Sequence, residues 1–133
     1  GGSRKPWEQD CVELFLDGEP LDFSHPRPTA YHDNCARAFL MPRQKSNGVT
    51  LWFGKSEFRF LSFAKENRKD GYTVLFTVKL PEKTLRQGYV GIDLKIDNAP
   101  RPGGPGTVQE TVWSESGNEI LANRMVFPLI RLK

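Results

Sequence analysis

Two of the three tryptophans stand in polar surroundings, Trp113 in the run Thr107 to Trp113 and Trp7 in Arg4-Lys5-Pro6-Trp7-Glu8-Gln9-Asp10. In a strand, Val108 and Val112 share one face with Glu110 between them, so Trp113 falls on the other with Thr107, Gln109 and Thr111. An indole on a polar strand surface forgoes burial worth about 1.5–3 kcal/mol, and such a ring commonly has a ligand or partner to cover. The alternatives are cover by another strand or loop for Trp113 and a seal on the end of the fold for Trp7. Two indoles with parallel faces suit a pyranose ring, whose axial C–H bonds make two apolar faces while its equatorial hydroxyls point outward to polar rim groups. Trp52, inside Val49-Thr50-Leu51-Trp52-Phe53, reads as a core or rim residue.

Catalytic chemistry finds little support. Asp10 and Glu13 lie three apart on a strand pattern, so they point to opposite faces and do not flank one bond. His25 and His32 sit in a proline-rich stretch, with no Gly-x-Ser-x-Gly elbow or Cys/His arrangement beside them. Met41 and Met125 together with those histidines keep a haem-binding sandwich open as an alternative, as does a purely structural or protein-interaction domain. Cys11 and Cys35 are compatible with one disulfide or with two buried thiols.

The elements that must position these residues are strands. Helical periodicity is nearly absent, whereas short runs of β-branched, aromatic and leucine residues recur between Gly, Pro, Asn and Asp clusters, so about seven or eight strands of an all-β domain are expected. They fall at Asp10 to Leu16, Cys35 to Met41, Val49 to Phe53, Glu57 to Phe63, Tyr72 to Leu80, Val90 to Asp97, Thr107 to Trp113 and Phe127 to Leu132. The third and fourth read as a hairpin turning at Gly54-Lys55. Tyr72, Val74, Phe76, Val78 and Leu80 alternate onto one face; in the next strand Val90, Ile92, Leu94 and Ile96 are expected inward and Gly91, Asp93, Lys95 and Asp97 outward. The loop Asn98 to Gly106, with three prolines and three glycines, is a rim connection.

The 133 residues fit one domain, and 19 basic against 16 acidic side chains are scattered, without the basic stripe that nucleic acid selects. No apolar run approaches the roughly 20 residues of a membrane-spanning helix. Residues 1–5, opening Gly1-Gly2-Ser3, read as a linker or tag remnant, and 6–133 as the domain.

The string Pro6-Trp7-Glu8-Gln9-Asp10-Cys11-Val12-Glu13-Leu14-Phe15-Leu16-Asp17 resembles the signature segment of carbohydrate-binding module family 9, a tryptophan before a D-x-V-E strand that ends in Asp. Asp70-Gly71-Tyr72-Thr73-Val74, Val90 to Asn98, Val112-Trp113-Ser114-Glu115 and the closing strand Phe127 to Leu132 are similar to later elements of the same pattern, in the same order.

The resemblance implies an antiparallel, jelly-roll-like two-sheet β-sandwich that binds glucose-type sugars or glucan and xylan chain ends without catalysis. It further implies a secreted or cell-surface setting, in service of polysaccharide-degrading enzymes. The family's stacking pair falls on Trp7 and Trp113, its acidic hydroxyl acceptor on Glu13 and its arginine on Arg37, with Lys95 and Asn98 in the hydroxyl-reading strand. Glu13 shares its face with Cys11 and Phe15, opposite Val12, Leu14 and Leu16. Lys95 stands where the family has an amide, and Asp97-Asn98 inverts its Asn-Asp order. No cofactor is required; a structural calcium would draw on Asp17, Glu19 and Asp22. The chain matches the C-terminal two-thirds of the family pattern, so its sandwich is expected to lack N-terminal strands, with another segment completing it.

Overall fold

The computed structural model describes residues 9–42, 49–53, 57–99 and 108–133. They form eight strands: β1 Cys11–Asp17, β2 Cys35–Leu40, β3 Val49–Phe53, β4 Arg59–Arg68, β5 Gly71–Lys79, β6 Tyr89–Asn98, β7 Gln109–Val112 and β8 Leu129–Arg131. A short helix, α1 (Glu82–Gln87), joins β5 to β6. The larger sheet runs β3-β2-β1-β6-β7, with β8 also on β6, and β4-β5 make a second sheet. All pairings are antiparallel.

One face of the large sheet is apolar. Leu14 and Leu16 of β1, Ala36 and Ala38 of β2 and Val90 of β6 are buried there with Phe58, and Phe60, Phe76 and Val78 of the second sheet pack onto them. The alternation of β5 thus does what its pattern requires: Val74, Phe76 and Val78 are half-buried while Leu75 is exposed.

The opposite face of the large sheet is also covered, and this reverses one expectation. Asp93, Lys95 and Asp97 are buried and Ile96 is exposed, although simple hydrophobic alternation puts the charges outside. Central strands buried on both faces show no clean alternation. Here the second face joins Phe15 to Ile120 and Phe127, and Cys11 to Phe39 and Met41.

A second correction concerns the expected hairpin. Val49–Phe53 pairs with β2 and Arg59–Arg68 with β5, so the chain changes sheets between them instead of turning back on itself; Gly54 and Lys55 lie outside the described residues. Also unforeseen were α1 and two 3₁₀ segments, Gly117–Leu121 and Arg124–Val126. Six residues are under two turns, too short for a period of 3.6 to declare itself. Helix α1 stops at Gly88, whose φ of 81° is left-handed and whose N–H donates to the Thr84 carbonyl over 3.1 Å.

Register settles the cysteines. Cys35 lies opposite Asp17 at one end of β1, and Cys11 is at the other end, six residues or about 20 Å away. Both are free and buried, and burial pushes each thiol up to about 12.

Candidate functional site

The second face of the large sheet gathers charge. The registers Glu13↔Phe39, Glu13↔Lys95, Phe15↔Arg37, Phe15↔Asp93, Cys11↔Asp97 and Asp97↔Glu110 bring side chains from β1, β2, β6 and β7 onto it. Arg37 donates from Nε to Glu13 Oε1 over 2.9 Å and from Nη2 to the same oxygen. Its guanidinium lies over the rings of Phe39 and Phe15, 4.8 and 5.2 Å from their centroids, which fixes the plane of the fork. Lys95 Nζ stands 3.0 Å from Glu110 Oε1, 3.3 Å from Glu13 Oε2 and 3.5 Å from Asp97 Oδ1.

The electrostatics follow from crowding. Burial works against the Lys95 charge, yet the carboxylates of Glu110, Glu13 and Asp97 hold its pKa above the ordinary value. Burial likewise opposes the charge of Glu13, but hydrogen bonds from Asp97 and Arg37 hold its pKa below the usual range. Asp97 goes the other way: burial first, then its neighbour Glu13, push it up to about 8.

Just past β7, Trp113 is 56% accessible. It follows Val112, the register partner of Lys95, and its N–H donates to the Leu94 carbonyl over 2.9 Å. A turn starts at this point, so strand parity no longer dictates where the side chain goes. The turn is clamped by buried Asp93, which accepts from the Ser114 N–H at 3.1 Å and from the Ser114 hydroxyl.

The expected site residues therefore divide. Glu13, Arg37 and Lys95 are brought together, with Glu13 and Lys95 buried and the Arg37 side chain 17% exposed. Glu13 accepts from Arg37 at Oε1, and its Oε2 lies 3.3 Å from Lys95 Nζ. Asn98 is exposed at the end of β6, opposite Gln109. Trp7 lies outside the described residues, as does the side chain of Trp52. Asp97, Glu110 and Asp93 went unrecognised, although three acidic or basic residues at alternate positions of β6 were a signal once Lys95 was placed opposite Glu13.

Asp17, Glu19 and Asp22 are each engaged by protein groups. Asp17 takes Arg124 Nη1 at 2.8 Å and His32 Nε2 at 2.8 Å, Glu19 takes Lys83 Nζ at 2.6 Å and Asn34, and Asp22 takes the Ser24 N–H at 2.9 Å. The charges of Asp17 and Glu19 are already met by side-chain cations, whereas Asp22 is held by Ser24. His25 and His32 stack, centroids 4.7 Å apart, beside a cavity of about 540 Å³ at this end of the sheet. Met41 is buried beside Cys11, opposite the far end of β1, while Met125 is exposed.

A two-sheet antiparallel β-sandwich with a buried cluster of charged side chains on one face of its larger sheet is the class that fold and site define. The chain has the fold of carbohydrate-binding module family 9. A family 9 module from Caldicellulosiruptor kristjanssonii in complex with glucose superimposes with a TM-score of 0.66 at 24% identity, over 99% of this chain and 63% of that one. The same kind of module in complex with cellotriose gives 0.66 at 23% identity, over 100% and 62%. This chain thus spans less than two thirds of those structures. No family model matches its sequence, and no curated protein does.

Proposed function

We propose that this chain is a non-catalytic carbohydrate-binding module that holds a glucose-type ring or the end of a glucan or xylan chain against Trp113. The observation that carries the reading is an indole left more than half exposed one residue after Val112, the register partner of Lys95 in the charged cluster. Exposed aromatic faces beside fixed hydrogen-bonding groups are how a pyranose is recognised. Arg37, Lys95 and Glu110 read hydroxyls, Glu13 holds Arg37 and Lys95 in place, and Trp7 closes the second face of the sugar. The complexes of the two similar modules with glucose and cellotriose support this choice of ligand class. A secreted or cell-surface setting, attached to a polysaccharide-degrading enzyme, accords with it; among the described residues no helix is long and apolar enough to cross a membrane.

One observation favours an added protein contact. The second sheet has two strands among the described residues and exposes Leu61 and Leu75. We propose that a further segment pairs with its edge and completes the sandwich. Calorimetric titration with glucose, cellobiose and xylobiose, run beside a panel of chromogenic glycosides, tests the main reading. Binding heat without turnover is expected; turnover, or no heat with any sugar, overturns it.

A further inference from the structure

Three oxygens at the heart of the charged face lack a hydrogen bond donor among the described residues: Glu13 Oε2 and both carboxyl oxygens of Asp97. Both side chains are wholly buried, and an unpaired buried carboxylate is costly. Lys95 Nζ approaches at 3.3 and 3.5 Å without hydrogen-bond alignment and is shared with Glu110 at 3.0 Å. The groups facing Asp97 are Cys11 and Glu13 from β1, Lys95 on its own strand and Glu110 from β7, while Arg37 from β2 holds the other oxygen of Glu13. Fully ionised, the acids Glu13, Asp97 and Glu110 outnumber the cations Arg37 and Lys95. A single proton between Asp97 and Glu13 removes the imbalance and supplies the missing donor.

We propose that Asp97 is a positioning residue of the sugar site, a protonated carboxyl that donates to Glu13 and so fixes Arg37 and Lys95 against the ligand. This rests on the sugar-binding reading above. Loss of the proton sets two carboxylates side by side; they repel, compete for Lys95 and draw Glu13 off Arg37. The raised Asp97 value near 8 puts that event in the mildly alkaline range. Of the neighbours, Cys11 is held far above it, near 12.

The test is calorimetric titration with cellobiose from about pH 5.5 to about pH 9.5, on the wild type and on Asp97→Asn, which keeps a donor but has no proton to lose. The wild-type affinity is expected to be level below about pH 7 and to fall at least about fivefold by about pH 9.5. Asp97→Asn should bind more weakly at low pH yet show no further fall. A flat wild-type profile, or an unchanged fall in the variant, overturns the assignment. If neither protein binds sugar at any pH, the sugar-binding reading fails, and the carboxyl pair is judged by itself: a ¹³C carboxyl titration of Asp97 with a midpoint above about 7 upholds it, and one below about 5 refutes it.

Discussion

Replacing Arg124 with methionine removes the largest fully buried side chain among the described residues and breaks the network at one end of β1. Its guanidinium meets Asp17 Oδ2 at 2.8 Å and the carbonyls of Glu19 and Pro20 at 3.3 and 3.4 Å, as well as that of Asp22, while its N–H meets the Thr29 carbonyl at 2.9 Å. It thereby ties the 3₁₀ segment Arg124–Val126 to the connection that leads into β2, the strand carrying Arg37. Removing one partner of a buried pair costs about 3–5 kcal/mol, because Asp17 stays buried with His32 and the Glu19 N–H in place of a guanidinium. With a urea slope of about 2 kcal/mol/M, the midpoint of Arg124→Met should fall by about 2 M.

The companion Asp17→Asn should behave similarly, and the double variant should cost less than the two singles together, by about 1 kcal/mol or more. Acidification adds a check with a definite sign. Burial alone would raise the Asp17 pKa, but His32 and Arg124 outweigh it and hold it below the ordinary value. The stability it contributes is therefore present above the unfolded value near 3.8 and is lost as pH falls through the lower folded one. Arg124→Met should lose less on acidification than the wild type. A midpoint shift under about 0.5 M, with additive singles, would refute the reasoning.

Two other substitutions probe positioning and packing. Asp93→Ala frees the turn that carries Trp113, and it should weaken sugar binding about tenfold by calorimetry, whereas an unchanged affinity would show that the clamp is irrelevant to the indole. A Cβ at Gly18 would stand 2.8 Å from Thr84 Oγ1 and 3.1 Å from the Asn34 carbonyl, so Gly18→Ala should cost about 1–3 kcal/mol in chemical denaturation. Gly88→Ala meets nothing within 4 Å and pays only for its positive φ, about 1 kcal/mol; a reversed order would contradict the packing.

The strands were legible because β-branched and aromatic runs sit between turn residues, and Gly71–Lys79 shows its period plainly. Trp113 is exposed as its polar neighbours suggest, but it stands one residue past the end of β7, so strand parity is not the reason. The direction of Asp93, Lys95 and Asp97 was not legible, because β6 is covered on both sides and the groups that meet Lys95 and Asp93, namely Glu13, Glu110 and Ser114, lie elsewhere in the sequence. The same non-locality hid Arg124, whose partner Asp17 is 107 residues away. The sheet change between β3 and β4 was invisible for a related reason: two adjacent strand patterns with a glycine between them satisfy the hairpin rule, and only pairing with β2 and β5 distinguishes the outcome.

The most direct measurement is a calorimetric titration of the wild type and Trp113→Ala with cellobiose, alongside thermal melts of both. A saturable heat for the wild type, none for the variant, and melting temperatures within about 3 °C of each other are the predicted result, as befits a ring that contacts ligand more than core. Equal binding by the two proteins, or a variant that loses several kcal/mol of stability, would contradict the account.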